Sequence, residues 1–476
     1  MVGAQWITRG LGLVSTAILA RLLAPQDFGL VAMATVIAGF LGVLFTFGID
    51  TALIQNTNAT RADWDAAWTI RVGQGIILAL LLVVTAPLAA LFYAEPRVTV
   101  IILVLAAGAI VAGFENIGIV AFRKDLQFHR DFQYTLAKKI VQIAVTITLA
   151  FIFHNYWALL AGIVLGQAFS SLASYMVHPF RPRWSLARTR HILGFTSRMA
   201  FINLAQYITL EGERFIVGGL TGIRQTGLYF VSNEVANIPT TELSGSISRA
   251  TVPGLAKLKH DRERLRAGYL NVFGFVALFS LPAGVGVAIV AGDLVPVMLG
   301  PQWTDAVSLV QLLAVAGALR AVSGPAYNLL IVLGRLNMAA MICWFQTISQ
   351  IILLVPVIGY FGLVGAATLN CALAGLTLAI YVVQIERCSG VSLWDHLSVL
   401  WRPVVSTLLM VAICSVIPGI FAVPVIELTS TILVGASSYT LVGLVLWLIS
   451  GRPRGPEQHL LEMIGRRFDI SLTQSQ

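Results

Sequence analysis

Arg9, Arg71, Lys138, Lys139, Arg198, Arg249 and Arg320 fall within or near the ends of stretches that are otherwise almost wholly apolar. In hydrocarbon an ionisable side chain costs several kcal/mol unless it meets water, a counter-ion or protein, so each of these cations needs a reason to be there. A guanidinium presents a planar fork of donors matched to phosphate oxygens, and a lysine acts as a compact point charge. Turned inward, such residues suit an anionic cargo. At helical spacing Gln5, Arg9, Gly12 and Thr16 share one face, Arg198 and Thr209 a second, and Arg320, Gly324 and Tyr327 a third. Arg9, Arg71 and Arg198 lie close enough to helix ends for snorkelling to lipid headgroups to compete as an explanation. Arg320 lies midway along its stretch without that exit, and it ranks first.

A second pattern is polar and uncharged. Asn233, Asn237, Thr240, Ser244 and Ser248 recur at steps of three and four, with Glu234 and Thr241 at the edge of the same stripe. Such a stripe either lines a wet cavity able to hydrogen-bond sugar hydroxyls or packs against another helix. The acidic groups among the apolar stretches are Asp50, Glu115, Glu211, Glu213, Glu234 and Glu242. Some should neutralise arginines, as Glu213 can for Arg214 or Arg224, while an ion-coupling role stays open for Glu234. Trp6, Trp64, Trp68, Trp157, Trp303 and Trp401, at stretch ends, read as interfacial anchors.

These residues need a scaffold, and the composition supplies one. Of 476 residues 57% are hydrophobic and only 11% charged, and the mean hydropathy is +0.85. Apolar runs long enough to cross a ~30 Å hydrocarbon layer succeed one another from the start to about residue 450. The chain is therefore an all-α polytopic membrane protein. Breaks at Gly, Pro and charge clusters give about fourteen spans, or twelve if the weakly apolar segments near 13 and 239 lie on the surface. No cleavable signal peptide is evident. The net charge of +9 comes mostly from short loops, which argues for topology rather than for nucleic acid. Cys343, Cys371, Cys388 and Cys414 lack CxxC spacing, and no P-loop, HExxH or GxSxG sequence occurs, so no metal, cofactor or catalytic residue is expected.

With the N-terminus inside, the even loops and the tail collect Arg61, Arg123, Lys124, Arg181, Arg183, Lys257, Arg264, Arg335, Arg387, Arg452 and others, whereas only Arg21, Arg97 and Arg224 fall in odd loops. That bias keeps both termini cytoplasmic. The first odd loop, LARLLAPQDFGL (19–30), is a tight outer hairpin tip, and VGGLTGIRQTGL (217–228) aligns with it without gaps, placing Gly29 on Gly227. NYWALLAG (155–162) likewise aligns with GYFGLVGA (359–366), and Arg123 with Arg335. Three echoes in one order predict two parallel six-helix lobes, residues 1–180 and 181–390, then two further spans at 391–450 and a cytoplasmic tail at 451–476. Substrate sites in such repeats lie near the midplane between them.

The succession LARLLAPQDFGLVAMA (19–34), GIDTALIQ (48–55), FRKDLQFHR (122–130), YWALLAGIVLGQ (156–167) and TGLYFVSNEVANIP (226–239) resembles the polysaccharide transporter family. So do RATVPGLAKLKHDRERLRAGYL (249–270), AGDLVPVMLGPQWTDAVSLVQLLAVAG (291–317) and LIVLGR (330–335). These are the oligosaccharide-lipid flippases of the multidrug/oligosaccharidyl-lipid/polysaccharide superfamily. The likeness extends nearly to residue 450, with Glu213 standing where members often have an aspartate. The resemblance implies two lobes opening alternately and outward passage of polyprenyl-pyrophosphate-linked glycans across a bacterial inner membrane. It implies as partners a lipid-linked oligosaccharide, the bilayer, and polymerase and export machinery. Within that reading Arg320, Arg9, Arg198, Arg71, Lys138, Asn233, Asn237, Thr240, Ser244 and Tyr327 are the expected cavity residues, and Glu234 and Glu213 the expected coupling or ion-pairing groups. The alternatives are a multidrug-extrusion-like cation antiporter, weakened because the first span has no carboxylate, and a membrane-embedded glycan polymerase or ligase, weakened by short outer loops.

Overall fold

The computed structural model describes residues 2–45, 49–56, 59–185, 207–208, 211–416, 423–452 and 458, and among these there is no strand. The chain separates into two compact units, Met1–Val231 and Ser232–Gln476.

The first unit contains α1 (Val2–Leu22), α2 (Pro25–Phe45), α3 (Ile49–Gln55), α4 (Arg61–Tyr93), α5 (Arg97–Gly113), a 3-10 turn (Ile117–Ile119), α6 (Val120–Lys124), α7 (Phe128–Phe153), α8 (Trp157–Val177) and α9 (211–221). It ends within α10 (Ile223–Lys257), which continues into the second unit. There follow α11 (Arg262–Met298), a 3-10 turn (Pro301–Ala306), α12 (Val307–Val332), α13 (Leu336–Ser389), α14 (Leu393–Cys414) and α15 (Pro424–Ile449). Among the described residues nine helices are long and apolar enough to cross a membrane, or ten if α5 and the bent Ile117–Lys124 segment form one span. Helices lie at the other expected span positions, whereas the seventh, centred near 206, falls mostly outside the described residues. α1 and α10 fall short of that hydropathy, because both carry the polar residues singled out above. α13 is 54 residues long and breaks at Gly362, where φ is 61°. At 1.5 Å per residue its length is about 80 Å, enough for two crossings.

Large apolar side chains such as Leu80, Leu91, Phe151, Leu172, Met176, Met341 and Leu441 are exposed. In water so much bared apolar surface would aggregate; facing lipid tails it costs nothing. Trp303 is fully buried and Trp68 nearly so, which corrects the reading of these two as interfacial anchors. The tight turn at Gly300, with φ 105°, folds Trp303 back into protein. Trp157 and Trp401 remain exposed.

Glycines decide how closely the helices approach. A Cβ on Gly29 would strike the carbonyl of Ile223, and one on Gly227 would strike the carbonyl of Pro25. In the hairpin alignment Gly29 matches Gly227 and Pro25 matches Ile223. The contact is thus reciprocal, each echo using the same two positions against the other, which is the signature of a local two-fold relation. It also explains why the first turns of α10 belong to the first compact unit, so that the packing boundary falls after the repeat boundary expected at 180/181. The turns near the other echo do not align: His154, with φ 50°, closes α7 just before it, whereas Gly362, which matches Ala158 inside α8, breaks α13.

Candidate functional site

Two polar clusters stand inside the units, and each is built by close helix crossings. In the first unit a Cβ on Gly75 would lie 2.7 Å from the Ala109 carbonyl, and one on Gly113 would lie 3.3 Å from the Arg71 carbonyl. Absence of side chains there lets α4 and α5 touch, which brings Arg71, one turn before Gly75, beside Glu115, just past Gly113. The helix stops at Gly113 and resumes at Ile117 with a bend of 64°. Side chains fix the break: Asn116 Oδ1 accepts from the Gly118 N–H at 2.9 Å, its amide donates to the Phe180 carbonyl at 2.7 Å, and its backbone N–H donates to Ser174 Oγ at 2.9 Å.

At this break Glu115 Oε1 accepts from the Tyr134 hydroxyl at 2.5 Å and from Ser170 Oγ at 2.7 Å. Lys138 Nζ and Arg71 Nη1 each lie 3.8 Å from its carboxylate oxygens. Arg71 also pairs directly with Asp50. These groups line a cavity of about 330 Å³ whose basic residues are Arg71, Arg123, Lys138 and Lys139 and whose acidic residues are Asp50 and Glu115. Thr8, Thr135 and Gln142 add neutral polar groups. Arg123 is itself paired with Asp131 at 3.0 Å, so four cations meet three carboxylates and the walls keep a small positive excess, which favours an anion.

In the second unit Arg320 sits midway along α12. Its Nη1 donates to Asn370 Oδ1 at 2.5 Å and its Nη2 to Asn237 Oδ1 at 3.1 Å. Asn237 is oriented in turn by donating to the Asn233 carbonyl and side chain, both at 2.8 Å, and Thr240 Oγ1 donates to the Asn237 carbonyl at 3.2 Å. A Cβ on Gly317 would lie 2.5 Å from Asn237 Oδ1, so that glycine admits the amide. Among the described residues no carboxylate lies within ion-pair distance of Arg320. Two amide oxygens thus accept from Arg320, and among the described residues no carboxylate cancels its charge.

The expected site residues therefore divide. Arg71 and Lys138 meet in one cavity. Arg320, Asn233, Asn237 and Thr240 meet in the other cluster, with Thr240 buried and the lower part of the polar stripe packed on α12. Tyr327 packs half-buried against the apolar core of Tyr269, Phe273 and Leu329. Arg9 is exposed, next to cavity-lining Thr8. Glu234 is exposed, and Glu213 accepts from the Tyr229 hydroxyl, while Arg214 pairs with Glu211 at 2.9 Å. Arg198 and the side chain of Ser244 lie outside the described residues. Asn370, Tyr134 and Ser170 were not anticipated, nor was buried Arg402 on α14. For Glu115 the polar interruption GFENIG (113–118) inside an apolar run was the available signal. Among the described residues no cluster of His, Cys, Asp and Glu could hold a metal.

The arrangement is that of a membrane transporter. Its fold is similar to the lipid II flippase MurJ in an inward closed conformation, with a TM-score of 0.77 at 13% identity over 94% of this chain and 99% of that one. It is also similar to an inward-facing MATE multidrug transporter of the MOP superfamily, with a TM-score of 0.64 at 15% identity over 80% and 95% of the two chains. The chain belongs to the polysaccharide biosynthesis protein family, whose profile matches residues 18–308. Among curated relatives it is 25% identical to the lipopolysaccharide biosynthesis protein WzxC of Escherichia coli K12 over 84% of each chain. It is 23% identical to the succinoglycan biosynthesis transport protein ExoT of Rhizobium meliloti over 94% of this chain and 90% of that one.

Proposed function

We propose that the chain is a flippase that carries polyprenyl-diphosphate-linked oligosaccharides across a bacterial inner membrane for polysaccharide assembly. The carrying observation is Arg320, a mid-span cation held by two amides and, among the described residues, left without a carboxylate partner, as a diphosphate receptor requires. The positive cavity around Arg71 and Lys138 supports the same cargo, and the names of the relatives agree with it. A cation antiporter would have to draw its substrate into positive walls. Asn237 and Asn233, beside Arg320, supply groups suited to sugar hydroxyls. The polymerase and export machinery of the same pathway are the natural partners.

Deleting the gene should stop surface or secreted polysaccharide and leave lipid-linked units accumulating, as read by mass spectrometry. Normal export with altered polymer length points instead to a polymerase, and drug sensitivity without a glycan defect to an extruder.

Orientation follows from the loop charges. Reporter fusions at Arg264 should sit in the cytoplasm and fusions near Asp305 outside it. An external signal at Arg264 refutes the assignment of cytoplasmic termini.

A further inference from the structure

Glu115 occupies the break in a membrane helix, and its carboxylate is gripped from three other helices: α4 through Arg71, α7 through Tyr134 and Lys138, and α8 through Ser170. Broken spans place ionisable groups where ions can be exchanged. The other charged groups around the cavity are Asp50 on α3, which shares Arg71, Arg123 on α6, which pairs with Asp131 on α7, and Lys139 on α7. The α1 residue in the wall is the uncharged Thr8.

Two cations keep Glu115 ionised, and they are also the cations that an anion entering the cavity would use. A diphosphate that claims Arg71 and Lys138 removes what stabilises the Glu115 charge and sets a second anion beside it. Asp50 is the more open of the two carboxylates, with 39% of its side chain exposed against 23% for Glu115. The Tyr134 and Ser170 hydroxyls can hydrogen-bond a neutral acid as well as a carboxylate.

We propose that anion binding in this cavity is coupled to protonation of Glu115: the diphosphate takes over Arg71 and Lys138, and Glu115 takes up one proton from water and stays in the break as the neutral acid. The coupling rests on the reading that this cavity receives a diphosphate. Because the complex holds one proton more than the free protein, binding tightens as pH falls, by up to about tenfold per pH unit.

The test uses the full chain in lipid nanodiscs and a short-chain probe, citronellyl diphosphate-glucose. Its disubstituted diphosphate keeps two charges across neutral pH. Calorimetry in buffers of different ionisation enthalpy counts the protons. Wild type should take up close to one proton per probe, and Tyr134→Phe, which keeps every charge, should retain the uptake. Glu115→Gln should bind without uptake and with a flat pH profile. Binding by wild type without proton uptake overturns the coupling but leaves the flippase reading standing, and the wild-type measurement alone decides this if Glu115→Gln fails to reach the membrane. Uptake that persists in Glu115→Gln overturns the assignment to this carboxylate. No binding by wild type at any pH overturns the diphosphate reading and the coupling together.

Discussion

Arg320→Ala cuts polysaccharide export to a small residual while the protein remains in the membrane at normal level. The side chain bridges α12 to α10 through Asn237 and to α13 through Asn370, and its charge meets no carboxylate among the described residues. Hydrogen bonds to charged groups contribute about 1.5–3 kcal/mol each. Losing one made to the moving diphosphate thus slows transport by roughly ten- to a hundredfold. Arg320→Lys should rescue only part of the rate, because an ammonium keeps the charge but cannot reach two amides and a phosphate with one rigid fork. Export assays paired with immunoblots of membrane fractions separate this from a purely structural role, in which the alanine protein would disappear. Full export by Arg320→Ala protein at normal level refutes both roles.

The second large effect is expected at the crossed hairpins. Gly29→Val and Gly227→Val each put a branched side chain where even a Cβ meets a carbonyl of the facing backbone. Overpacking against side chains costs typically about 1–3 kcal/mol, and here the obstacle is backbone, which has no rotamer to change. Each variant should lower the melting temperature of the purified protein and reduce export. The double variant should be less damaging than the sum, because both changes open the same contact. Unchanged melting by either single variant contradicts the reciprocal contact.

The sequence carried the spans well, because helix length and hydropathy are set by the bilayer and need no tertiary context. The hairpin echo was legible too, but that Gly29 and Gly227 touch each other was not, since alignment reports likeness and not position. Arg71 and Lys138 stood out as cations in apolar runs, and Asp50 and Glu115 as carboxylates. Their pairing depends on the Gly75–Gly113 crossing and on the break after Gly113, which bring together residues far apart in the chain. Glu234 was expected as a coupling or ion-pairing group, but the hydrogen bonds of Arg320 go to Asn237 and Asn370. Glu234 lies on the exposed face of α10, whereas Asn237, three residues on, faces α12 through the gap that Gly317 leaves. Asn370 lies beyond the kink at Gly362, so its approach to Arg320 is fixed by tertiary packing and not by local spacing.

The most direct measurement reconstitutes the purified protein into vesicles with a fluorescent short-chain polyprenyl-diphosphate oligosaccharide and follows its passage between leaflets with a membrane-impermeant quencher. The account predicts passage with wild type and passage lost with Arg320→Ala. Vesicles in which wild type leaves the lipid-linked glycan in its original leaflet, yet moves an organic cation, would contradict it.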